Sequence, residues 1–326
     1  MTQVNHVLLK SPNASGRMRS TNPSVERPLN WYVRTKFALV RYFLWGWARL
    51  FSLRGLYLLG QTFGTLECLV NFKRRARYRH ALHQVFPEGI SKARERKTAL
   101  EYFRRTRCDK LLYLIFDRLP KDKILRRIKF HGRQYVDEAL QRGNGAYLMI
   151  SHNGSHHVLG LLLALLGYQA AGIRDRREGA VRVYVQQKLA ETFPEIADNF
   201  RIYFADSFPR IIYRHFQDNW LLGSALDVSR IRGETLKTCP VKIFGESREF
   251  LTGTLQIALR CRATIVQMFV VSRPNFYFRL IVHPPLYVPD GEGNGDSPQR
   301  VAQLMQRYAD GIEAHVREYP DHLSRI

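Results

Sequence analysis

The stretch Ala146-Tyr-Leu-Met-Ile150, followed by Ser151-His152-Asn-Gly-Ser155-His156-His157 and the apolar run Val158 to Leu166, constrains this chain more than any other feature. The first five residues have strand length and follow the turn-forming Gly143-Asn144-Gly145, whereas the run after His157 is too long for a typical strand and reads as a helix. A buried strand that opens into a helix belongs to an α/β fold, and such folds place their chemistry at the carboxyl ends of strands. Imidazole delivered there can act as a general base, because its ordinary pKa lies near neutrality and a neighbouring group can fix its tautomer.

Two plainer readings compete with catalysis. Ser151, Asn153 or Ser155 could cap the helix, leaving the histidines as polar surface. The spacing His152-x-x-x-His156-His157 could hold a metal, but a short histidine cluster without a distant cysteine or carboxylate is a weak ligand motif.

The order of further blocks carries more information than any one of them. Upstream come Arg74-Arg75-Ala-Arg77, Phe86-Pro87-Glu88, a polar helix from about Ser91, Ile128-Lys-Phe-His-Gly132 and Val136 to Gly145. Downstream come Leu221 to Asp227, Val241-Lys-Ile-Phe244-Gly245, Leu251-Thr252-Gly253-Thr254 to Ala258, Ala263 to Val270, and His283-Pro284-Pro285. From about Phe37 to Pro320 this succession resembles the bacterial late lipid A biosynthesis acyltransferases and their relatives that acylate other membrane glycolipids.

That resemblance implies an α/β fold with a mixed central sheet flanked by helices, like the glycerolipid acyltransferases, and an N-terminal amphipathic helical arm. It also implies a reaction in which a histidine takes a proton from an acceptor hydroxyl, which then attacks a thioester carbonyl. His152 matches the histidine of the family's His-x-x-x-x-Asp/Glu motif, and the acidic position falls on His157. Three outcomes follow from this departure: His152 and His157 form a variant pair, another carboxylate such as Asp227 orients the imidazole, or acyl transfer has been lost. The resemblance further assigns Arg174, Asp227, Gly245, Thr252 and Gly253 to substrate binding. The implied reaction requires no metal or redox cofactor, since acyl carrier protein or coenzyme A enters as the thioester donor. The family's Trp-rich, basic continuation is not matched before Ile326, so the acceptor's identity is not carried over.

Charge and patterning add the surroundings. The 326 residues carry a formal net charge of +23, which suits acidic partners: an anionic membrane surface, acyl carrier protein, coenzyme A or nucleic acid. Nucleic acid ranks low, because no helix-turn-helix, zinc-finger or RNA-binding aromatic motif is present. Residues 1–30 read as a disordered basic tail, residues 31–73 as a membrane-interfacial helical segment and residues 74–326 as the α/β domain. Arg34, Lys36, Arg41, Arg49 and Arg54 interrupt the apolar N-terminal segment, and Glu67 lies in its second half. The expectation is a monotopic or peripheral arm at the cytoplasmic face of the inner membrane, with Trp31, Tyr42, Trp45 and Trp47 at headgroup level and the arginines reaching lipid phosphates. Cys68, Cys108, Cys239 and Cys261 are scattered, without a Cys-x-x-Cys pair. A non-catalytic lipid-binding or partner-binding member of the same fold is the main alternative to an enzyme.

Overall fold

A computed structural model describes residues 30–174, 180–204, 209–228, 236–289 and 295–324. The chain opens with helices α1 (Trp31–Leu50), α2 (Ser52–Val70), α3 (Phe72–Val85), α4 (Lys92–Ile115) and α5 (Lys121–Leu125). Strand β1 (Ile128–His131), α6 (Arg133–Gln141), β2 (Ala146–Ile150), α7 (Leu159–Leu165) and β3 (Ala170–Arg174) follow. Next come α8 (Ala180–Thr192), α9 (Pro194–Asn199), β4 (Phe200–Phe204), α10 (Pro209–Gln217) and β5 (Leu221–Ala225). The chain continues through β6 (Thr238–Ile243), β7 (Glu246–Leu251), α11 (Gly253–Arg260), β8 (Thr264–Arg273), β9 (Tyr277–Val282) and α12 (Pro298–Glu318). The proposed tail at residues 1–29, the arginines that follow Arg174 and most of the glycine-rich loop after Asp290 lie outside the described residues.

Seven strands form one sheet in the order β1-β9-β8-β2-β5-β3-β4, while β6 and β7 make a separate hairpin. β8, β2, β5, β3 and β4 run parallel, and β9 and β1 run against them, so the sheet is mixed as the resemblance implies. β2 is central and covered on both faces. Ala146 and Leu148 join one apolar core with α2, α4 and α7, and Tyr147 and Met149 join another with α3, α11 and α12. This two-sided burial is why the strand reads as a continuous apolar run instead of an alternating one.

Local chemistry explains the helix starts that lie near the expected positions. The Ser91 side chain accepts the Arg94 N–H ahead of α4, and Ser297 accepts that of Arg300 ahead of α12, whose first residue is Pro298.

Three side chains of the N-terminal segment, Arg41, Trp45 and Trp47, take other positions than expected. Arg41 points inward and is buried, with Nη2 2.5 Å from Asp117 Oδ2, so it does not reach toward lipid. A charge removed from water needs such a partner, and the pair fixes α1 to the 3-10 turn Phe116–Arg118. Trp45 and Trp47 are half-buried and pack on the core, whereas Trp31, Tyr42, Phe43, Leu50 and Phe51 remain exposed. α1 and α2 break at Phe51–Ser52, where Ser52 has φ 61°. No helix among the described residues is long and apolar enough to cross a membrane.

Candidate active site

Strand register brings two residues together that are far apart in sequence. β2 and β5 are adjacent and parallel, with Ile150 opposite Ala225. Two residues beyond that pair on each strand lie His152 and Asp227. The His152 Nδ1 is 2.7 Å from Asp227 Oδ1, and the His152 backbone N–H donates to Oδ2 at 2.8 Å. Both carboxylate oxygens are thus engaged by one residue, which fixes the position of the main chain and the orientation of the ring. An ionised carboxylate only accepts, so in a neutral ring this contact selects the tautomer with the proton on Nδ1 and the lone pair on Nε2. The imidazole is 24 % exposed and the carboxylate 7 %, so the ring opens outward while its partner is shielded.

His157 occupies a different place. It begins the second residue of the 3-10 turn His156–Val158, and its ring stands edge to face against Tyr113, 5.3 Å between centroids, and against His156 at 5.9 Å. Residues 151–155 form a loop before that turn, so the five-residue spacing does not set the two histidines on one helix face. The ring nearer to His152 is that of His156, with centroids 5.2 Å apart.

Glycine permits the loop's path. Gly154 has φ 71°, and a Cβ there would lie 2.4 Å from the Val270 carbonyl oxygen. Its N–H donates to the His322 carbonyl at 2.8 Å, and the Ser155 N–H donates to the Val270 carbonyl at 3.1 Å. Below the loop, Asp109 accepts from Ser155 Oγ at 2.6 Å, Ser272 Oγ at 2.8 Å and Arg105 Nη1 at 3.0 Å. The C-terminal segment closes over it: Ser324 donates its N–H to Asn153 Oδ1 at 3.1 Å and its hydroxyl to the His152 carbonyl. Burial holds the His322 imidazole below its ordinary pKa, consistent with a neutral ring whose Nε2 accepts the Ser272 N–H at 3.0 Å.

Tyr308 of α12 ties the two strand ends. Its hydroxyl donates to the Ile150 carbonyl at 2.6 Å and lies 3.4 Å from the Leu226 N–H. Burial, with the negative charge of Asp227 nearby, keeps its phenol well above the usual range. On the same face of the sheet, Tyr147, Ser224 and Thr254 form a closed hydroxyl triangle with sides of 2.6, 2.6 and 2.9 Å. Burial pushes Tyr147 up to about 12, so it is a hydrogen-bonding neutral group there.

Thr252 and Gly253 lie beside this corner. The Leu251 N–H reaches the carbonyls of Leu226 and Val228 at 3.0 and 3.1 Å, which flank Asp227. Thr252 precedes α11 without capping it through its side chain; its buried hydroxyl donates to the Lys237 carbonyl at 3.2 Å, and Thr254 is held by the triangle. Arg174 is the final residue of β3, the strand next to β5, and its backbone is at the same carboxyl end of the sheet. Gly245 is elsewhere. With Phe244 at φ 51° and Gly245 at φ 76° it forms the two-residue turn of the β6–β7 hairpin, and the length of β7 separates it from Leu251, about 20 Å of extended chain.

Sequence reasoning did not single out Tyr308 or Ser324. No local signal distinguishes Tyr308 from the other apolar-face residues of a long amphipathic helix, and Ser324 acts through a segment that folds back only in three dimensions. Among the described residues, no group of three or more His, Cys, Asp or Glu side chains could hold a metal ion.

No curated protein matches the chain. The sequence profile described as bacterial lipid A biosynthesis acyltransferase matches residues 26–193 and 233–322, most of the chain's length; the first range includes β2 and His152, and Asp227 lies between the two ranges. On that match the chain belongs to the bacterial lipid A biosynthesis acyltransferase family, a family of acyltransferases acting in lipid synthesis.

Proposed function

We propose that this protein transfers a fatty acyl group from an acyl thioester, carried by acyl carrier protein or coenzyme A, to a hydroxyl of a membrane lipid or glycolipid. The observation that carries the reading is the 2.7 Å contact between His152 Nδ1 and Asp227 Oδ1 at adjacent strand ends. Nε2 removes the proton of the acceptor hydroxyl as its oxygen attacks the thioester carbonyl. The tetrahedral intermediate then collapses, the carbon–sulfur bond breaks, and the imidazolium returns the proton to the departing thiolate. Asp227 remains ionised throughout, holding the tautomer and offsetting the charge on the ring. Asp227 thereby takes the orienting role, and His157 shapes the wall beside Tyr113. Thr252, Gly253 and Arg174 border the acceptor or the phosphate-bearing part of the donor.

The protein acts at the membrane surface, on the cytoplasmic face of the inner membrane. Support comes from α1, α2 and the residues that flank α2, where Trp31 is 76 % exposed, Leu50 79 % and Val70 71 %, with Phe43, Phe51, Phe63, Leu66 and Phe72 also exposed. Apolar surface of that extent, interspersed with Arg34, Lys36, Arg49 and Arg54, fits the interface between headgroups and acyl chains.

The test is thioester turnover by the purified protein with acyl carrier protein and coenzyme A donors and a total membrane-lipid extract, read by mass spectrometry. A new acylated lipid that vanishes in His152→Ala and falls sharply in Asp227→Asn is the expected result. No product with any donor, alongside retained lipid binding, would move the assignment to a non-catalytic relative.

A further inference from the structure

A second polar site lies at the same end of the sheet as His152. β9 and β1 run opposite to β2, so their first residues, with Arg127 just before β1 and Tyr277 opening β9, stand at the carboxyl end of β2. There a cleft of about 480 Å³ lies between the α1–α2 break, the chain around α5 and the 3-10 turn Pro274–Phe276. It is displaced from β2 by two to three strand spacings across the sheet and also along the strands, because Tyr277 pairs with Arg273, six residues past Gln267, the partner of Met149.

Arg49, Arg54, Arg118, Lys123 and Arg127 all line it, and no carboxylate does. Nearby cations are paired: Lys121 with Glu195, and Arg126 with Asp122 at 2.6 Å. Among the described residues, Arg49, Arg54, Lys123 and Arg127 form no ion pair, and Arg118 has only a 3.8 Å contact to Asp117, which Arg41 already neutralises. The Nε of Arg127 is buried and has no hydrogen-bond partner among the described residues, while its guanidinium lies over Tyr277 at 5.4 Å. A buried, unpaired guanidinium nitrogen is costly unless an anion completes it. Two lining residues, Ser52 and Asn275, hold left-handed conformations at φ 61° and 58°, a strain that clusters at ligand sites.

We propose that this cleft binds the phosphate of an anionic membrane phospholipid, a docking site separate from the His152–Asp227 pair. The choice of a lipid over a free anion comes from the rim, where Leu50 and Phe51 project exposed between Arg49 and Arg54. One headgroup phosphate would sit among the guanidinium groups while these side chains enter the acyl region, orienting the active-site end of the sheet toward the bilayer. The proposal rests on the membrane reading above.

Its test is sedimentation of the full chain with phosphatidylcholine vesicles, with and without phosphatidylglycerol. Wild type is expected to prefer the anionic vesicles. The double variants Arg54→Gln/Arg127→Gln and Arg49→Gln/Arg54→Gln are expected to lose about tenfold or more of that preference at unchanged melting temperature, whereas Arg94→Gln/Arg300→Gln, with the same formal charge, retains most of it. Equal losses in all three variants would mean diffuse attraction and overturn the site. Inorganic phosphate at matched ionic strength is expected not to displace the wild-type protein; displacement to the phosphatidylcholine level would assign the cleft to free phosphate. Wild type that binds neither vesicle overturns the membrane reading as well, whereas undiminished phosphatidylglycerol preference in the cleft variants overturns the site alone.

Discussion

His152 and the cations of the α1–α2 cleft stand at one end of the same sheet, yet their polar groups are satisfied in opposite ways. Around His152 the partners are intramolecular: Asp227 holds the ring and its N–H, Ser324 its carbonyl, and Asp109 the loop below. Around Arg54, Lys123 and Arg127 the protein supplies the Tyr277 ring and the Lys123 carbonyl to Arg127, and no counter-charge. The first arrangement fixes geometry before substrate arrives, as general-base chemistry requires. The second leaves the favourable interaction to be made by something outside the chain.

The largest effect expected from breaking this contrast is at the pair itself. His152→Ala should lower acyl transfer about 10²–10⁴-fold, with Asp227→Asn costing about 10²-fold and His157→Asn less than tenfold, measured as kcat on one thioester. If His157→Asn proved worse than Asp227→Asn, the orienting role would return to His157. Next, Leu50→Ser/Phe51→Ser removes two exposed apolar side chains and is expected to weaken partition into phosphatidylcholine vesicles roughly 10–100-fold, with activity on a detergent-dispersed acceptor retained. Tyr308→Phe should cost about 1 kcal/mol in urea-induced unfolding and reduce kcat up to about tenfold, because it loosens the two strand ends without touching either side chain of the pair. A stability loss with kcat unchanged would make Tyr308 purely structural.

The smallest expected effect is an acid sensitivity remote from both sites. His315, stacked on Phe269 with centroids 3.9 Å apart, is held down to about 3 by burial, and His215, stacked on Trp220 at 4.7 Å, down to about 4. Both are neutral in the fold, whereas the unfolded chain protonates them below about 6.5. The unfolded state therefore binds more protons in this window, so stability is fully present above about pH 6.5 and declines as pH falls toward 4. His315→Phe is expected to recover on the order of 1–2 kcal/mol of the difference between urea melts at about pH 5 and pH 7.5. An unchanged difference would place the acid sensitivity in other groups.

Much of the architecture was legible because it rests on local pattern. The apolar run at 146–150 became β2 with those bounds, the segment starting after Ser91 became α4, and the last amphipathic run became α12. Arg41 was misread because an arginine on an aromatic helix looks the same whether it turns to lipid or to Asp117, 76 residues away. Gly245 was grouped with the site by sequence order, yet a hairpin carries it to the far end of β7.

The sequence by itself determined the α/β class, the strand that presents His152 and the family, since periodicity, turn residues and block order are properties of neighbouring residues. The choice of Asp227 as the partner of that histidine was decided only in tertiary structure. It depends on β2 and β5 being adjacent, parallel and paired at Ile150 and Ala225, and a slip of one residue would turn either side chain to the opposite face. The cation cleft is tertiary for the same reason. Its arginines come from α1, α2 and the chain on either side of α5, and only packing of those elements leaves them facing one another without a carboxylate.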